Sequence, residues 1–378
     1  MITRLLKNNI KNTLFKGKVI LIFGPRQVGK TTLLKEISKN HKNIQWFNAD
    51  EVEVQSIFDK ASLVNFKTFL KPNTLVVIDE AQNIKDIGIK LKIIVDNLPN
   101  IQLLVSGSSS FELANVLSEP LTGRKFEYQL HPISFEEMSE HHTFFEEHKL
   151  LKQRLIYGYY PDVIANMTNA KQILKQLTDS YLYKDILIWN RIKKSDKLVK
   201  LLQALAYQIG NQVSYNELGR TVGLDNETVE NYIILLEQSF VIYRLPSFSR
   251  NLRNELKQSR KIYFYDNGIR NSLIGNYNNI ELRNDVGYLW ENFIITERMK
   301  FIHYHKIYCN RYFWRTHAQQ EIDYIEERDG NLFAYEFKWN THKKVKIPNS
   351  FLKAYPNAIT KIITPENYHE FITQTNEK

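Results

Sequence analysis

Three groups of residues have the types and spacing to do chemistry. The first is Gly24-Pro25-Arg26-Gln27-Val28-Gly29-Lys30-Thr31-Thr32, which meets G-x-x-x-x-G-K-[ST] at every fixed position. Its two glycines let the backbone curl until its N–H groups face phosphate oxygens. A helix starting at Thr31 adds the positive end of its dipole. In that arrangement Lys30 reaches the β- and γ-phosphates of a nucleotide and the Thr31 hydroxyl sits on Mg²⁺. A chance glycine-rich turn is the alternative. The flanks argue against it, because Val19-Ile20-Leu21-Ile22-Phe23 reads as a buried parallel strand and Thr31 to Ile37 has helical spacing.

The second group lies downstream. Leu75-Val76-Val77-Ile78 is an apolar run that ends in Asp79 and Glu80, so a buried strand would deliver two acids to the carboxyl edge of a sheet. Behind a phosphate-binding loop, Asp79 would hold Mg²⁺ through water and Glu80 would polarise the attacking water. The run Ile101-Gln102-Leu103-Leu104-Val105 leads into Ser106, Gly107 and Ser108. Either serine could orient that water, and a serine-rich turn is the plain alternative. Arg124, in Leu121-Thr122-Gly123-Arg124, could neutralise γ-phosphate charge in its own subunit or in a neighbour's site. It could equally be a surface arginine.

The third group is near the other end of the chain. Asp329-Gly330 is a strong hairpin signal between Glu321-Ile322-Asp323-Tyr324-Ile325-Glu326 and Leu332-Phe333-Ala334-Tyr335-Glu336-Phe337-Lys338-Trp339. With those two residues as the loop, Asp323 faces Glu336 and Glu321 faces Lys338. Residues two apart share a face, and directly opposed Cβ atoms lie about 4.5–5.5 Å apart. This is the geometry of a metal-dependent nuclease. Asp323 and Glu336 would bind Mg²⁺, Lys338 would orient or deprotonate the attacking water, and Glu291 from a preceding helix would complete the metal shell. A cross-strand salt bridge is the alternative. The apolar Ile322, Tyr324, Tyr335 and Phe337 would form the opposite, core face.

The order of motifs resembles a prokaryotic family of AAA-type ATPases, through GPRQ-GKTT (Gly24 to Thr32), DEAQ (Asp79 to Gln82), GSS (Gly107 to Ser109), L-GR (Leu121 to Arg124) and L-P-SF-E (Leu130 to Glu136). The resemblance runs through nearly the whole chain. In that family the ATPase is fused to a carboxy-terminal region of unknown function. The Asp323, Glu336 and Lys338 pattern resembles the PD-(D/E)XK restriction-endonuclease-like fold, although Ile322 stands where a proline is usual.

These residues need elements to hold them. The expected fold class is α/β: a P-loop AAA-type ATPase core over 1–133, a helical lid or connector over 134–196, a winged helix-turn-helix over 197–258, and a restriction-endonuclease-like domain over 259–378. Met1 to Lys16, Phe135 to Leu155 and Ala170 to Ile192 have the period of amphipathic helices. Gly158-Tyr159-Tyr160-Pro161 reads as a turn. Leu198 to Ile209, a capped helix from Ser214, a turn at Gly223, a helix from Glu227 to Gln238 and a strand at Phe240 follow the winged-helix order. The second of these helices carries Asp225, Glu227, Glu230 and Glu237 but no Lys or Arg, which speaks against base reading. Basic residues trail it at Arg244, Arg250, Arg253, Lys257, Arg260 and Lys261, and Lys343, Lys344 and Lys346 lie beyond the hairpin. They could grip a backbone without reading sequence.

Composition agrees with several domains. The 378 residues are 43% hydrophobic, and 51 Lys and Arg against 41 Asp and Glu leave a formal charge of +10, suited to a polyanion. A single cysteine, Cys309, excludes an internal disulfide and a multi-cysteine metal site. No apolar run approaches the ~18 residues of a membrane span. The expectation is a cytoplasmic homo-oligomer that uses ATP and Mg²⁺ and associates with DNA through backbone contacts. The alternatives are a switch of protein contacts on an inactive nuclease-like platform, and a nucleotide-binding regulator with negligible turnover.

Overall fold

The structure is a computed structural model, described here for residues 2–60, 62–107, 120–181, 195–249, 260–316, 318–340 and 346–373. Ser108 and Ser109, the end of the expected helix toward Ile192, Arg250, Arg253, Lys257, Lys343 and Lys344 lie outside the described residues. The chain divides into two compact units, Met1–Pro132 with Gln238–Phe240, and Ile133–Glu237 with Val241–Lys378.

The first unit is built on a five-stranded sheet. In chain order it runs α1 (Leu6–Lys11), β1 (Val19–Phe23), α2 (Lys30–Ser38), β2 (Ile44–Asn48), α3 (Val52–Asp59), α4 (Leu63–Phe69), β3 (Leu75–Asp79), α5 (Ile87–Asn97), β4 (Gln102–Gly107) and β5 (Lys125–Gln129). Every residue of β1, β3 and β4 is buried, as strands covered on both faces require. The order is β2-β3-β4-β1-β5, and every pairing is parallel. All carboxyl ends therefore share one edge, where ligands bind in open α/β sheets. The expected helix from Met1 to Lys16 is shorter, since only Leu6–Lys11 is helical.

The second unit begins with α6 (Phe135–His141), α7 (Phe144–Lys149) and α8 (Leu151–Tyr157). The single helix expected from Phe135 to Leu155 is thus three. The breaks come from caps: Thr143 accepts from the Glu146 N–H at the start of α7, and Ser134 forms a reciprocal capping box with Glu137 at the start of α6. Then come α9 (Pro161–Ala165) and α10 (Ala170–Tyr181).

Next are α11 (Ser195–Tyr207), β6 (Gln212–Val213), α12 (Tyr215–Val222), α13 (Asn226–Gln238), β7 (Ile242–Pro246) and β8 (Arg260–Phe264). Ser214 caps α12 by accepting from the Glu217 N–H. Strand β8 pairs antiparallel with both β6 and β7. The expected boundary at 258/259 therefore falls just ahead of a strand that belongs to the preceding three-stranded sheet.

The chain continues as α14 (Asn267–Leu273), α15 (Val286–Tyr304), β9 (Asn310–Arg315), β10 (Glu321–Arg328), β11 (Asn331–Phe337), α16 (Asn349–Ala354), β12 (Ile359–Ile363) and α17 (His369–Ile372). The last sheet has the order β12-β11-β10-β9. The β10–β11 hairpin pairs Arg328 with Asn331 and Tyr324 with Tyr335, the register that a two-residue Asp329-Gly330 loop dictates. Both loop residues have positive φ, 50° and 74°, matching a type I′ turn.

One register feature departs from simple alternation. Between Ile322 and Ile325 the pairing of β10 with β9 slips by one residue. Ile322 consequently packs with Ile325, Ala334, Trp314 and Phe351. It does not share the face of Tyr324, whose ring meets those of Tyr335, Phe337 and Phe371. A bulge of this kind kinks a strand and re-aims side chains, and Asp323 lies inside it.

Candidate functional site

In the first unit, β1 ends at Phe23 and the next residue, Gly24, passes against the chain at Leu130. A Cβ on Gly24 would stand 2.1 Å from the Leu130 carbonyl oxygen, so only glycine fits. Gln27 and Gly29 take left-handed φ values of 59° and 94°, which curl the loop. Gly29 is the N-cap of α2 and has no side chain to stand over the helix end, the place where helices bind anions. The buried Lys30 ammonium donates to the carbonyls of Gly24 at 3.0 Å and Pro25 at 2.8 Å, folded over the cradle it helps form. Thr31 follows it in the first turn of α2.

The acids stand on the same sheet edge. Asp79 is buried at the end of β3, and the Ser106 hydroxyl of neighbouring β4 donates to its Oδ1. The same hydroxyl accepts from the Glu80 N–H at 3.2 Å. Glu80 sits at φ 54°, a conformation that costs a non-glycine residue about 1–3 kcal/mol and clusters at functional sites. Gln82 donates to its Oε2 at 2.5 Å. Ser106 thus ties Asp79 to the backbone of Glu80. Ser106, Asp79 and Glu80 are brought to the same edge as Lys30.

Arg124 is not. It precedes β5 at the amino-terminal edge of the sheet, where its carbonyl accepts from the Val19 N–H. Its side chain pairs with Asp96 at 2.6 Å. The five residues of β1 separate it from the loop by about 15 Å, so the expectation that Arg124 reaches the γ-phosphate of its own subunit is corrected. One residue that the sequence reading missed is Arg4. It is buried, and its guanidinium donates to the Val28 carbonyl at 2.7 Å and the His131 carbonyl at 2.6 Å, bracing the loop from behind.

In the second unit, Asp323 and Glu336 converge on Lys338. The ammonium lies 3.1 Å from Glu336 and 3.9 Å from Asp323, and Asp323 also accepts from the Phe337 N–H at 2.8 Å. Burial raises the Glu336 carboxyl well above the usual range, the Asp323 charge adds to this, and Lys338 opposes it. Burial alone would lower Lys338, but Asp323 and Glu336 outweigh it and hold the ammonium above its ordinary value. With these acids as neighbours Lys338 is charged at neutral pH. A charged ammonium there can orient a water or a phosphate.

Two further expectations change. Glu321 does not pair with Lys338. Its carboxylate meets Lys261 at 2.5 Å and Arg315 at 3.2 Å. Glu291 is near these groups but committed elsewhere. Its Oε1 accepts from Lys261 at 3.0 Å and from the Tyr263 hydroxyl at 2.5 Å. Among the described residues no group of three or more His, Cys, Asp or Glu is set to hold a metal ion. The carboxylate pair Asp323 and Glu336 suits one hard divalent cation, which commonly takes one or two protein carboxylates and completes its shell with water or phosphate. Lys261 and Tyr263 were also missed as site residues. A lysine opening the apolar run to Phe264 was the available signal, since such a position is buried on a strand.

Of the basic residues expected to grip a nucleic-acid backbone, the described ones are placed as follows. Arg244 pairs with Glu237 at 2.5 Å, Arg260 lies 3.9 Å from Glu230, and Lys261 is 1% exposed at its side chain. Lys346 is exposed. Asp225, Glu227 and Glu230 of the α13 region are exposed, so that helix presents acids. No helix among the described residues is long and apolar enough to cross a membrane.

Comparison with known proteins bears on these units. Residues 16–139 match an AAA domain. Residues 148–279 match a domain of unknown function, DUF8612, and residues 286–376 match another, DUF4143. An uncharacterized protein of Mycobacterium tuberculosis is 23% identical over 334 residues, covering 87% of this chain and 72% of that protein. An uncharacterized protein of Methanocaldococcus jannaschii is 22% identical over 402 residues, covering 99% and 86%. Among solved structures, a Walker-type ATPase of Pyrococcus abyssi is similar with a TM-score of 0.51 at 16% identity, covering 72% of this chain and 96% of that one. The amino-terminal region is thus a P-loop core of the AAA ATPase type.

Proposed function

We propose that this protein binds ATP with Mg²⁺, hydrolyses it, and couples the cycle to DNA held by its second unit. The observation that carries the reading is the shared sheet edge, where the start of α2 with Lys30 follows β1 and Asp79, Glu80 and Ser106 end the parallel strands β3 and β4. In the nucleotide complex the Lys30 ammonium leaves the Gly24 and Pro25 carbonyls for the β- and γ-phosphate oxygens. The loop from Gly24 to Thr32, including Pro25, Arg26, Gln27 and Val28, wraps the phosphates with its N–H groups. Thr31 and Asp79 are the residues that would hold Mg²⁺, which neutralises charge on the phosphates. Glu80 orients the attacking water, and Ser106 keeps Asp79 and the Glu80 backbone in register. Arg124 acts, in this reading, across a subunit boundary of a homo-oligomer.

For the second unit, the order α11-β6-α12-α13-β7-β8 supports a winged helix. The hairpin carrying Asp323, Glu336 and Lys338 supports a nuclease-like module. Those two acids would hold a divalent cation, which would polarise a phosphodiester, while Lys338 orients the scissile phosphate or its water. A second reading has a specific observation behind it. The acids exposed on α13 and the ion pairs that occupy Arg244, Arg260 and Lys261 favour a switch of protein contacts on an inactive platform.

DNA titration separates the two. The full chain with ATP and Mg²⁺ is expected to bind labelled linear DNA with an affinity that falls steeply as salt rises, and any Mg²⁺- or Mn²⁺-dependent cutting should vanish in Asp323→Ala. No binding at low salt would contradict the DNA reading and leave the protein switch.

A further inference from the structure

We propose that Lys261 serves as a built-in second cation of the acid site, so that Asp323 and Glu336 take a single divalent ion and Glu291 is not one of its ligands. The proposal rests on the nuclease-like reading of that site and concerns what the site can load.

The geometry begins with β8, which is strand-paired in the three-stranded sheet yet delivers its lysine to Glu321 of the other sheet and Glu291 of α15. The Lys261 ammonium bridges two carboxylates, at 3.0 Å from Glu291 and 2.5 Å from Glu321. Bridging two acids is the task a metal ion would otherwise perform there. The side chain is 1% exposed, and a buried ammonium persists only when paired. Tyr263 lies two residues along the same strand, hence on the same face, and its hydroxyl donates to the same Glu291 oxygen at 2.5 Å. Two donors converge on Glu291 Oε1, and a metal would have to displace both to use it.

Charge points the same way. Glu291, Glu321, Asp323 and Glu336 face Lys261, Lys338 and Arg315. Lys261 already places a fixed positive charge against these acids, and its ammonium would repel a second divalent ion seated beside the first. Among the described residues Lys338 is the one cation paired with Asp323 and Glu336, Asp323 also accepting from the Phe337 N–H, so the single ion belongs between these two acids.

The test is Mn²⁺ titration of the nucleotide-free full-length protein, read as loss of the free-Mn²⁺ electron paramagnetic resonance signal. Binding that Glu336→Gln removes reports on this site, apart from the nucleotide site. Glu291→Gln, which keeps an oxygen for Lys261 and Tyr263, is expected to leave that binding unchanged, whereas truncating a true ligand or its support weakens it by about tenfold or more. Lys261→Met frees Glu291 and Glu321 and is expected to tighten Mn²⁺ binding by about tenfold, a gain that adding Glu291→Gln reverses. A tenfold loss in Glu291→Gln, or unchanged binding in a folded Lys261→Met, overturns the proposal and leaves the nuclease-like reading standing. If Lys261→Met does not fold, Glu291→Gln against Glu336→Gln decides alone. Wild-type protein with no Glu336-dependent Mn²⁺ binding overturns both.

Discussion

Single side chains set the chemistry of both units, and their surroundings set the charge they carry. Ser106 reaches two groups of the acid pair with one hydroxyl, and Lys338 stays charged because two carboxylates outweigh its burial. His303 of α15 shows the opposite balance. Burial, and then the Arg311 guanidinium, lower its pKa to about 4. The unfolded chain takes up that proton near pH 6.5 and the folded one resists it. Stability tied to His303 is therefore complete above about pH 6.5 and is lost as pH falls toward 4. Thermal melts over this window should show the midpoint of the wild type falling by more than that of His303→Leu. Parallel curves would contradict the assignment.

At the scale of elements, the loop after β1 works because the chain at Leu130 leaves no room beside it. Gly24→Ala places a methyl group 2.1 Å from the Leu130 carbonyl oxygen. The loop must move, and misplacement of this order costs about a hundredfold in rate. Steady-state phosphate release should fall accordingly while the far-ultraviolet circular dichroism is retained, and full activity would contradict the packing. Strands β1, β3 and β4 were legible in the sequence because buried parallel strands are unbroken apolar runs. The β10–β11 register was legible because Asp329-Gly330 admits one short loop.

Other features at this scale were hidden. The slip between Ile322 and Ile325 depends on β9, which no local pattern encodes, so Ile322 was assigned to the wrong face. Strand β12 is mostly exposed and lacks a clear alternation. Lys261 looked like part of a basic surface because sequence neighbours were counted, whereas its partners Glu291 and Glu321 come from α15 and β10. Arg124 sat at a plausible distance along the chain, but strand direction put it on the far edge of the sheet.

At the scale of the whole molecule, the proposed trans role of Arg124 requires a second copy, since Arg124 stands far from the phosphate cradle of its own chain and pairs with Asp96 at 2.6 Å. In trans, an arginine finger is worth about 10³–10⁵ in turnover. Arg124→Ala should bind ATP normally and hydrolyse it slowly. Mixing it with Lys30→Ala should restore part of the activity, since each variant supplies what the other lacks. Mixtures no more active than their parts would remove the intersubunit role and leave Arg124 as a surface ion pair.

The measurement that bears most directly on the central claim is phosphate release from ATP and Mg²⁺ by the purified full-length protein, set beside Lys30→Ala and Glu80→Gln. The cradle and acid pair at one sheet edge predict turnover in the wild type, neither binding nor turnover in Lys30→Ala, and binding without turnover in Glu80→Gln. Hydrolysis that continues undiminished in Lys30→Ala would contradict the account at its root.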